Sequence, residues 1–490
     1  MRKTQFAERF RSRCAPKAPP SVVARARGRA PLSEPPVTPK RPNPIGGAAA
    51  PLGETRIALH ADAATGGAAT PLPPTQRSRV ALGLTSAAAV GRFELQVCQD
   101  CGAVQYPPRE ACHKCLSVRL RWRLQSGEGE LLAETTLFHS HSEFFRERLP
   151  WRLGMVRLDC GPTVITHLHG QVAGAPARVR VGMQLDRGGQ GVLFAFPTGG
   201  AGPEDKELRE MTSDPRGRQV LITDGTSAVG MALARACVAA GAAKVWLGHS
   251  GASLSLRALE ELGGRSLVTP IPLDVTSADS VKWVAKEIAE TVDIIINNAE
   301  LLGSAELQGP AELQRSAEFH ASAITSDQSA ERPAPAEMDV NYFGLLRLSE
   351  EFGPVMRERA AGGEPFLMVW VNLLSIYAVA DLPSYGTSSA SKAAAYSLSQ
   401  GLRAQMQPAG IRVVNVFPGP IADKSIEALS LPQSETLSLP KVEPGALARA
   451  IVQALQNGVE DVYPGDVASE WLTRSRDNPE ALERQLAEGR

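Results

Sequence analysis

Cys98, Cys101, Cys112 and Cys115 stand in the pattern C-x2-C-x10-C-x2-C. Two C-x2-C pairs bring four thiolates within tetrahedral reach of one zinc ion, and four sulfur ligands leave no open coordination position for chemistry. Gly102 follows the first pair, where the tight turn calls for positive φ. Two disulfides in an oxidising compartment, or chance spacing, are the alternatives. No apolar signal-peptide core precedes the cysteines, so the expectation is a structural Zn²⁺ in a small ribbon over residues 86–125. Cys14, Cys160 and Cys237 are scattered.

At 490 residues the chain is long enough for two or three domains. Lys+Arg and Asp+Glu balance at 52 each, which argues against a nucleic-acid binder. No apolar run reaches the ~18 residues of a membrane span. Residues 1–85 hold 13 of the 37 prolines, 14 Lys+Arg against 4 Asp+Glu, and no lasting apolar period. Such a segment buries too little surface to offset its ordering entropy and reads as a disordered tail. Its Arg-rich start has the composition of an organelle transit peptide, but a plain tail is the simpler reading, and the expected compartment is the cytoplasm.

Beyond the cysteines, Leu131 to Leu137, Met155 to Leu158, Val164 to Leu168 and Val192 to Phe196 read as short strands. Short strands with Gly-rich turns predict a small β-barrel over 126–200. The stretch CQDCGAVQYPPREACHKC, followed by SGEGELLAETTLFHS, resembles the zinc-ribbon plus OB-fold proteins associated with acyl-CoA enzymes, over roughly residues 90–197. The resemblance implies a rubredoxin-like zinc ribbon with an OB-fold barrel that binds a partner enzyme and seldom carries catalytic residues. His139-x-His141 and His167-x-His169 place imidazoles on one face of a strand, where they could chelate a metal or sit solvated on a polar barrel face. No acidic cluster accompanies either pair.

After a linker at 201–214 the pattern changes. Gln219 to Thr223, Lys244 to Leu247, Leu267 to Leu273, Asp293 to Asn297, Val369 to Leu374 and Arg412 to Phe417 are apolar strands separated by helical stretches. That alternation predicts a Rossmann-like doubly wound parallel sheet with ligands at the carboxyl ends of its strands. Asp274-Val275, Asn297-Asn298-Ala299, Asn341 in DVNYFG, Ser375, Lys392 and Pro418-Gly419-Pro420-Ile421 together resemble the short-chain dehydrogenase/reductase family across residues 215–490. The resemblance implies an adenine contact at Asp274, a fourth-strand motif at Asn297 and Ala299, and a loop beside the nicotinamide at Pro418, Gly419 and Ile421. It also implies remnants of a catalytic tetrad at Asn341, Ser375 and Lys392.

The chain departs from the family where chemistry occurs. The family's first phosphate turn, Thr-Gly-x-x-x-Gly-x-Gly, reads here Thr223-Asp224-Gly225-Thr226-Ser227-Ala228-Val229-Gly230. Asp224 is expected to cap the following helix and bring charge where phosphate belongs; Ala228 adds a methyl; of the family's glycines only Gly230 is kept, with Gly225 beside Asp224 able to supply flexibility. Glu300 replaces the glycine that ends Asn-Asn-Ala-Gly, and His249 replaces the ribose-reading acid. Ser388 stands four residues before Lys392, at the position of the catalytic tyrosine. Loss of that general acid–base group costs roughly 10²–10⁴ in rate. Tyr385 lies seven residues before Lys392, too far along a helix for the usual pairing. The segment from Leu301 to Pro335 reads as a surface insertion, with docking of a partner as its alternative.

NAD(P) is the cofactor the resemblance implies, and these departures count against it. The expected function is a pseudoenzyme subunit or scaffold working with an acyl-CoA-processing enzyme or an active dehydrogenase homologue. Homo- or hetero-oligomers would form through the small-residue helix near Ser388. The alternative is an active NAD(P)-dependent oxidoreductase of 3-hydroxyacyl- or 3-oxoacyl-CoA-type substrates with atypical proton transfer.

Overall fold

Alternate residues of an extended strand face opposite sides, and that periodicity builds the ribbon sheet, the barrel and the parallel sheet here. The computed structural model describes residues 70–74, 78–200, 204–251, 255–300, 333–364, 366–381, 386–422 and 439–487. Most of the expected tail and the Leu301–Pro335 insertion up to residue 332 lie outside these, as does Tyr385.

The ribbon is a three-stranded antiparallel sheet of β1 (Glu94–Cys98), β2 (Val104–Gln105) and β3 (Leu120–Leu124), in the order β2-β1-β3. It leads into a closed barrel of β4 (Glu128–Leu137), β5 (Trp151–Leu158), β6 (Thr163–Leu168), β7 (Ala177–Leu185) and β8 (Gly191–Pro197). The barrel order is β4-β5-β6-β8-β7, antiparallel except for the parallel pair β6 and β8. Leu131, Val156, Val164, Leu168 and Val179 fill it. The helix Leu82–Ala89 begins inside the segment expected to be disordered, and it packs Leu84, Ala87 and Ala88 into the barrel core. Its run of small residues carries no marked amphipathic period, so nothing in the local sequence separates it from the tail.

The α/β domain holds seven parallel strands. They are β9 (Gln219–Ile222), β10 (Lys244–His249), β11 (Val268–Pro272), β12 (Ile294–Asn297), β13 (Val369–Leu373), β14 (Arg412–Val416) and β15 (Asp461–Val462). Their order is β11-β10-β9-β12-β13-β14-β15. Val220 and Ile222 of β9 enter the core on one side of the sheet, and Leu221 enters the other. Burial on both faces explains why these strands read as continuous apolar runs.

The barrel docks on the amino ends of these strands, opposite the end where ligands bind. Arg412, the first residue of β14 and 5% exposed, donates to the carbonyls of Met211 (2.6 Å) and Leu185 (2.9 Å) and faces Glu460 at 3.6 Å. Gln407 donates to the Gly188 carbonyl (2.8 Å), and the Glu460 N–H to that of Ala89 (2.8 Å). Arg412→Leu would leave the Met211 and Leu185 carbonyls without their donor and Glu460 with Arg403 alone (3.8 Å), with an expected loss of about 3 kcal/mol by denaturant unfolding.

The connection between the domains carries the short helix Lys206–Arg209, capped by the Asp205 side chain. Glu207, 6% exposed, accepts the Arg152 N–H at 2.5 Å, and burial pushes its carboxyl up to about 8. The folded state therefore holds a proton that the unfolded state has lost between the ordinary carboxylate range and about pH 8. Stability is expected to fall as pH rises through that window and to level off above it. Glu207→Gln should flatten the slope in pH-dependent thermal unfolding.

Candidate functional site

The four cysteines meet as the sequence predicts. Their sulfur atoms all lie within 4.8 Å of one another, with Cys98–Cys115 at 3.5 Å and Cys101–Cys112 at 3.6 Å. Ligands about 2.3 Å from a tetrahedral zinc lie roughly 3.8 Å apart, so the residues fit the ion. Gly102 has φ +70°. The backbone N–H groups of Cys115 and Lys114 hold the Cys112 thiol down to about 6, favouring its thiolate. Among the described residues no other group of three or more His, Cys, Asp or Glu is arranged for a metal. His167 Nδ1 accepts from Trp151 Nε1 (2.8 Å) and His169 Nδ1 from the Gln171 N–H (3.1 Å), so both imidazoles are built into the barrel. Purified protein is expected to carry one zinc per chain by elemental analysis, and Cys112→Ser none, with loss of order confined to the ribbon.

The other candidate site lies at the carboxyl ends of β9, β12 and β13. Thr223 follows β9, and its hydroxyl accepts the N–H groups of Asn298 (3.0 Å) and Ala299 (3.1 Å) while donating to Asn297 Oδ1 (3.3 Å). Asn298 clasps both backbone groups of Asp224, accepting from its N–H (2.9 Å) and donating to its carbonyl (2.7 Å). The Asp224 carboxylate accepts the backbone N–H of Thr226 (3.0 Å) and Ser227 (3.2 Å) and the Thr226 hydroxyl (2.8 Å). The cap of the helix Ala228–Ala239 is Ser227, whose hydroxyl accepts the Gly230 N–H (3.1 Å). This corrects the expectation for Asp224, which closes the turn ahead of the helix. Gly225 is buried, and a methyl on Gly230 would run into the Asp224 carbonyl. Ala228 is exposed as the first helical residue.

Asp274 accepts the Thr276 N–H (2.9 Å) and hydroxyl (2.7 Å) in a turn after β11. His249 ends β10 with Nδ1 2.9 Å from the Gly251 carbonyl. The Pro418 carbonyl accepts the Ile376 N–H (2.9 Å), Gly419 packs near Val467, and Ile421 bridges Val442.

Lys392 and Ser388 lie on the helix Gly386–Met406 and are 2% and 3% exposed. Lys392 Nζ sits 3.1 Å from Glu300 Oε1 and 3.5 Å from the Leu373 carbonyl. Glu300 comes directly after the fourth-strand motif, so its carboxylate reaches the lysine across the mouth of the sheet. The Ser388 hydroxyl donates to Glu337, a carboxylate with no exposed surface. Asn341 lies in a π-helical turn, Asp339–Phe343, and its Nδ2 donates to Ser391 Oγ (2.9 Å), which donates to the Ser388 carbonyl (2.8 Å). The Ser375 hydroxyl accepts the Tyr377 N–H (3.2 Å) at the start of a short turn. Asn341, Ser388 and Lys392 are thus gathered by one helix and its neighbour.

Sequence reasoning missed Glu337 and Ser391. Glu337 lies 51 residues before its partner Ser388 and in no motif; only the helix Pro333–Met338 folding against Gly386–Met406 joins them.

Residues 218–431 match the short chain dehydrogenase family; residues 85–120 match the ChsH2 rubredoxin-like zinc ribbon domain, and residues 122–190 the ChsH2 C-terminal OB-fold domain. A ribbon and barrel that match the ChsH2 domains are thus fused to a domain that matches the short chain dehydrogenase family. An uncharacterized oxidoreductase of Mycobacterium tuberculosis is 28% identical over 252 residues, which is 50% of this chain and 67% of the relative. One from Staphylococcus aureus is 28% identical over 239 residues, 48% of this chain and 89% of the relative. A crystal structure of a short chain dehydrogenase from Burkholderia cenocepacia in complex with NADP is 29% identical, covering 56% of this chain and 98% of that one at a TM-score of 0.43. Among the described residues no helix is long and apolar enough to cross a membrane.

Proposed function

We propose that this chain is a non-catalytic, dehydrogenase-like subunit in which the ribbon and barrel hold an acyl-CoA-processing enzyme. The α/β domain would pair with itself or with an active dehydrogenase relative, in the cytoplasm. The observation that carries this reading is the ion pair of the buried Lys392 with the half-buried Glu300, 3.1 Å apart. A buried lysine held by a half-buried carboxylate is withheld from a cofactor ribose and from any proton relay. Breaking such a pair would leave one charge buried alone, a cost of several kcal/mol.

The phosphate turn supports the same reading. Backbone N–H groups that would approach a pyrophosphate are already taken by Asp224. A phosphate brought within about 4 Å of that carboxylate meets a repulsion of roughly 1–4 kcal/mol per charge pair. The donor set therefore does not fit a dinucleotide. Ser388 supplies neither the reach nor the acidity of a phenol. The docked position of the barrel fits a recruiting role, because it leaves the cleft and the module at opposite ends of one sheet.

A second reading rests on the Ser388–Glu337 hydrogen bond, since a hydroxyl relaying to a carboxylate could replace the tyrosine in an oxidoreductase of 3-hydroxyacyl- or 3-oxoacyl-CoA-type substrates. Calorimetry with NADH and NADPH at concentrations up to the millimolar range separates the two. The expected result is no binding by the native chain and measurable binding by the double variant Asp224→Gly, Glu300→Gly. Turnover should require Ser388→Tyr together with Glu337→Ala, because Glu337 fills the space beside residue 388. Tight binding by the native chain, with turnover of a 3-hydroxyacyl-CoA, would overturn the proposal.

A further inference from the structure

Away from the cleft, residues 116–124 of the ribbon alternate apolar with polar side chains: Leu116-Ser117-Val118-Arg119-Leu120-Arg121-Trp122-Arg123-Leu124. Two of the apolar residues serve the protein's own cores. Leu120 packs on Cys98, Ala103 and Cys112, and Trp122 joins the barrel core. Those on either side stay outside, with Leu116, Val118 and Leu124 78%, 77% and 63% exposed. Leu116 also has φ +62°, the one positive φ outside glycine among the described residues. The matching place after the first cysteine pair belongs to Gly102, at φ +70°. A leucine is disfavoured in that conformation and here covers no core, so packing within the chain does not account for it.

β3 is the outer strand of the ribbon sheet, paired among the described strands with β1 alone. The Gln99 N–H donates to the Arg119 carbonyl and the Gln125 N–H to that of Phe93, each at 2.9 Å, so the odd positions of the strand serve β1. Antiparallel alternation then turns the N–H and carbonyl groups of Trp122 and Leu124 toward the open edge. Neither a proline nor a shift of register interrupts β3, two devices by which edge strands avoid pairing. The edge is also basic: residues 112–125 hold Lys114, Arg119, Arg121 and Arg123 and no carboxylate. Arg119 is taken up by Asp100, whereas Arg121 and Arg123 are exposed and have no acidic partner among the described residues.

We propose that the open edge of β3 is a strand-addition site for an extended segment of the partner protein in which carboxylates alternate with apolar residues. An added strand bonds to the free backbone groups of Trp122 and Leu124 and sets its carboxylates opposite Arg121 and Arg123. Its apolar residues then cover Leu124 and, past the start of the strand, Val118 and Leu116. A second copy of this chain is the wrong occupant, because antiparallel pairing of two β3 edges brings arginine opposite arginine. The site rests on the reading that the ribbon and barrel hold a partner, and it is independent of whether the cleft binds a dinucleotide.

Fluorescence anisotropy tests it, with the full-length zinc-loaded chain and a labelled peptide that alternates glutamate with valine over about nine residues. Saturable binding is expected, about tenfold or more tighter than that of a lysine–valine counterpart or of a scrambled peptide of the same composition. Leu124→Pro takes one donor from the open edge and leaves the bonds to β1 in place. The double variant Arg121→Glu, Arg123→Glu reverses the charge. Each should retain one zinc per chain and weaken binding about tenfold, and the charge-reversed chain should prefer the lysine peptide. Arg157→Glu, on the barrel, should bind as the native chain does. Several results would sink the proposal: no binding, equal binding of the scrambled peptide, or binding that survives both edge variants. So would a concentration-dependent dimer in sedimentation that Leu124→Pro dissolves, since the occupant would then be a second copy. None of these alters the outcome of the dinucleotide calorimetry, so failure of the site and failure of the proposed function read separately.

Discussion

A charge removed from water must find partners, and two buried cations organise the two ends of this α/β sheet. At the amino end, the Arg412 guanidinium joins the carbonyls of Met211 and Leu185 to Glu460. The carboxyl end is held by Lys392, which meets Glu300 and the Leu373 carbonyl. The first cation fastens the ribbon and barrel to the α/β domain. The second ties the end of the fourth-strand motif to the helix that carries Ser388. Arginine suits the first position because its planar fork can serve several carbonyls at once, whereas the single ammonium of lysine suits one carboxylate.

This division gives the molecule a consistent logic. Polar groups that would receive a ligand in the cleft are satisfied from within: Asp224 by the turn it closes, Lys392 by Glu300 and Ser388 by Glu337. Buried polar groups that are already hydrogen-bonded add nothing to binding unless the ligand returns more than it displaces. The ribbon's own core is only Cys98, Ala103 and Cys112, so four thiols around one ion's volume set its turns, while Leu95 and Trp122 pack its sheet onto the barrel.

Much of the architecture was legible before folding. Cysteine spacing identified the ribbon, because ligand geometry fixes both the spacing and the turns. Strands β9 to β14 were legible as apolar runs, because a parallel sheet buried on both faces demands them. Strands β3 and β7 were not, since alternating arginines in Leu120–Leu124 and Ala177–Leu185 mask their apolar faces. The helix Leu82–Ala89 was hidden in a composition that reads as tail; its order comes from the barrel surface it covers. Of the cleft, the loss of the tyrosine, the acidic turn and Glu300 could all be counted along the chain.

What replaced the lost groups could not be counted. Sequence determined which residue types stand at Asp224, Glu300, Ser388 and Lys392, because motif spacing is a local property of strands and helices. Only the tertiary structure decided that Glu300 pairs with Lys392, that Glu337 meets Ser388, and that the barrel docks at the amino ends of the sheet. Those contacts join residues tens to hundreds of positions apart, and their energies depend on burial, which no local pattern of residues encodes.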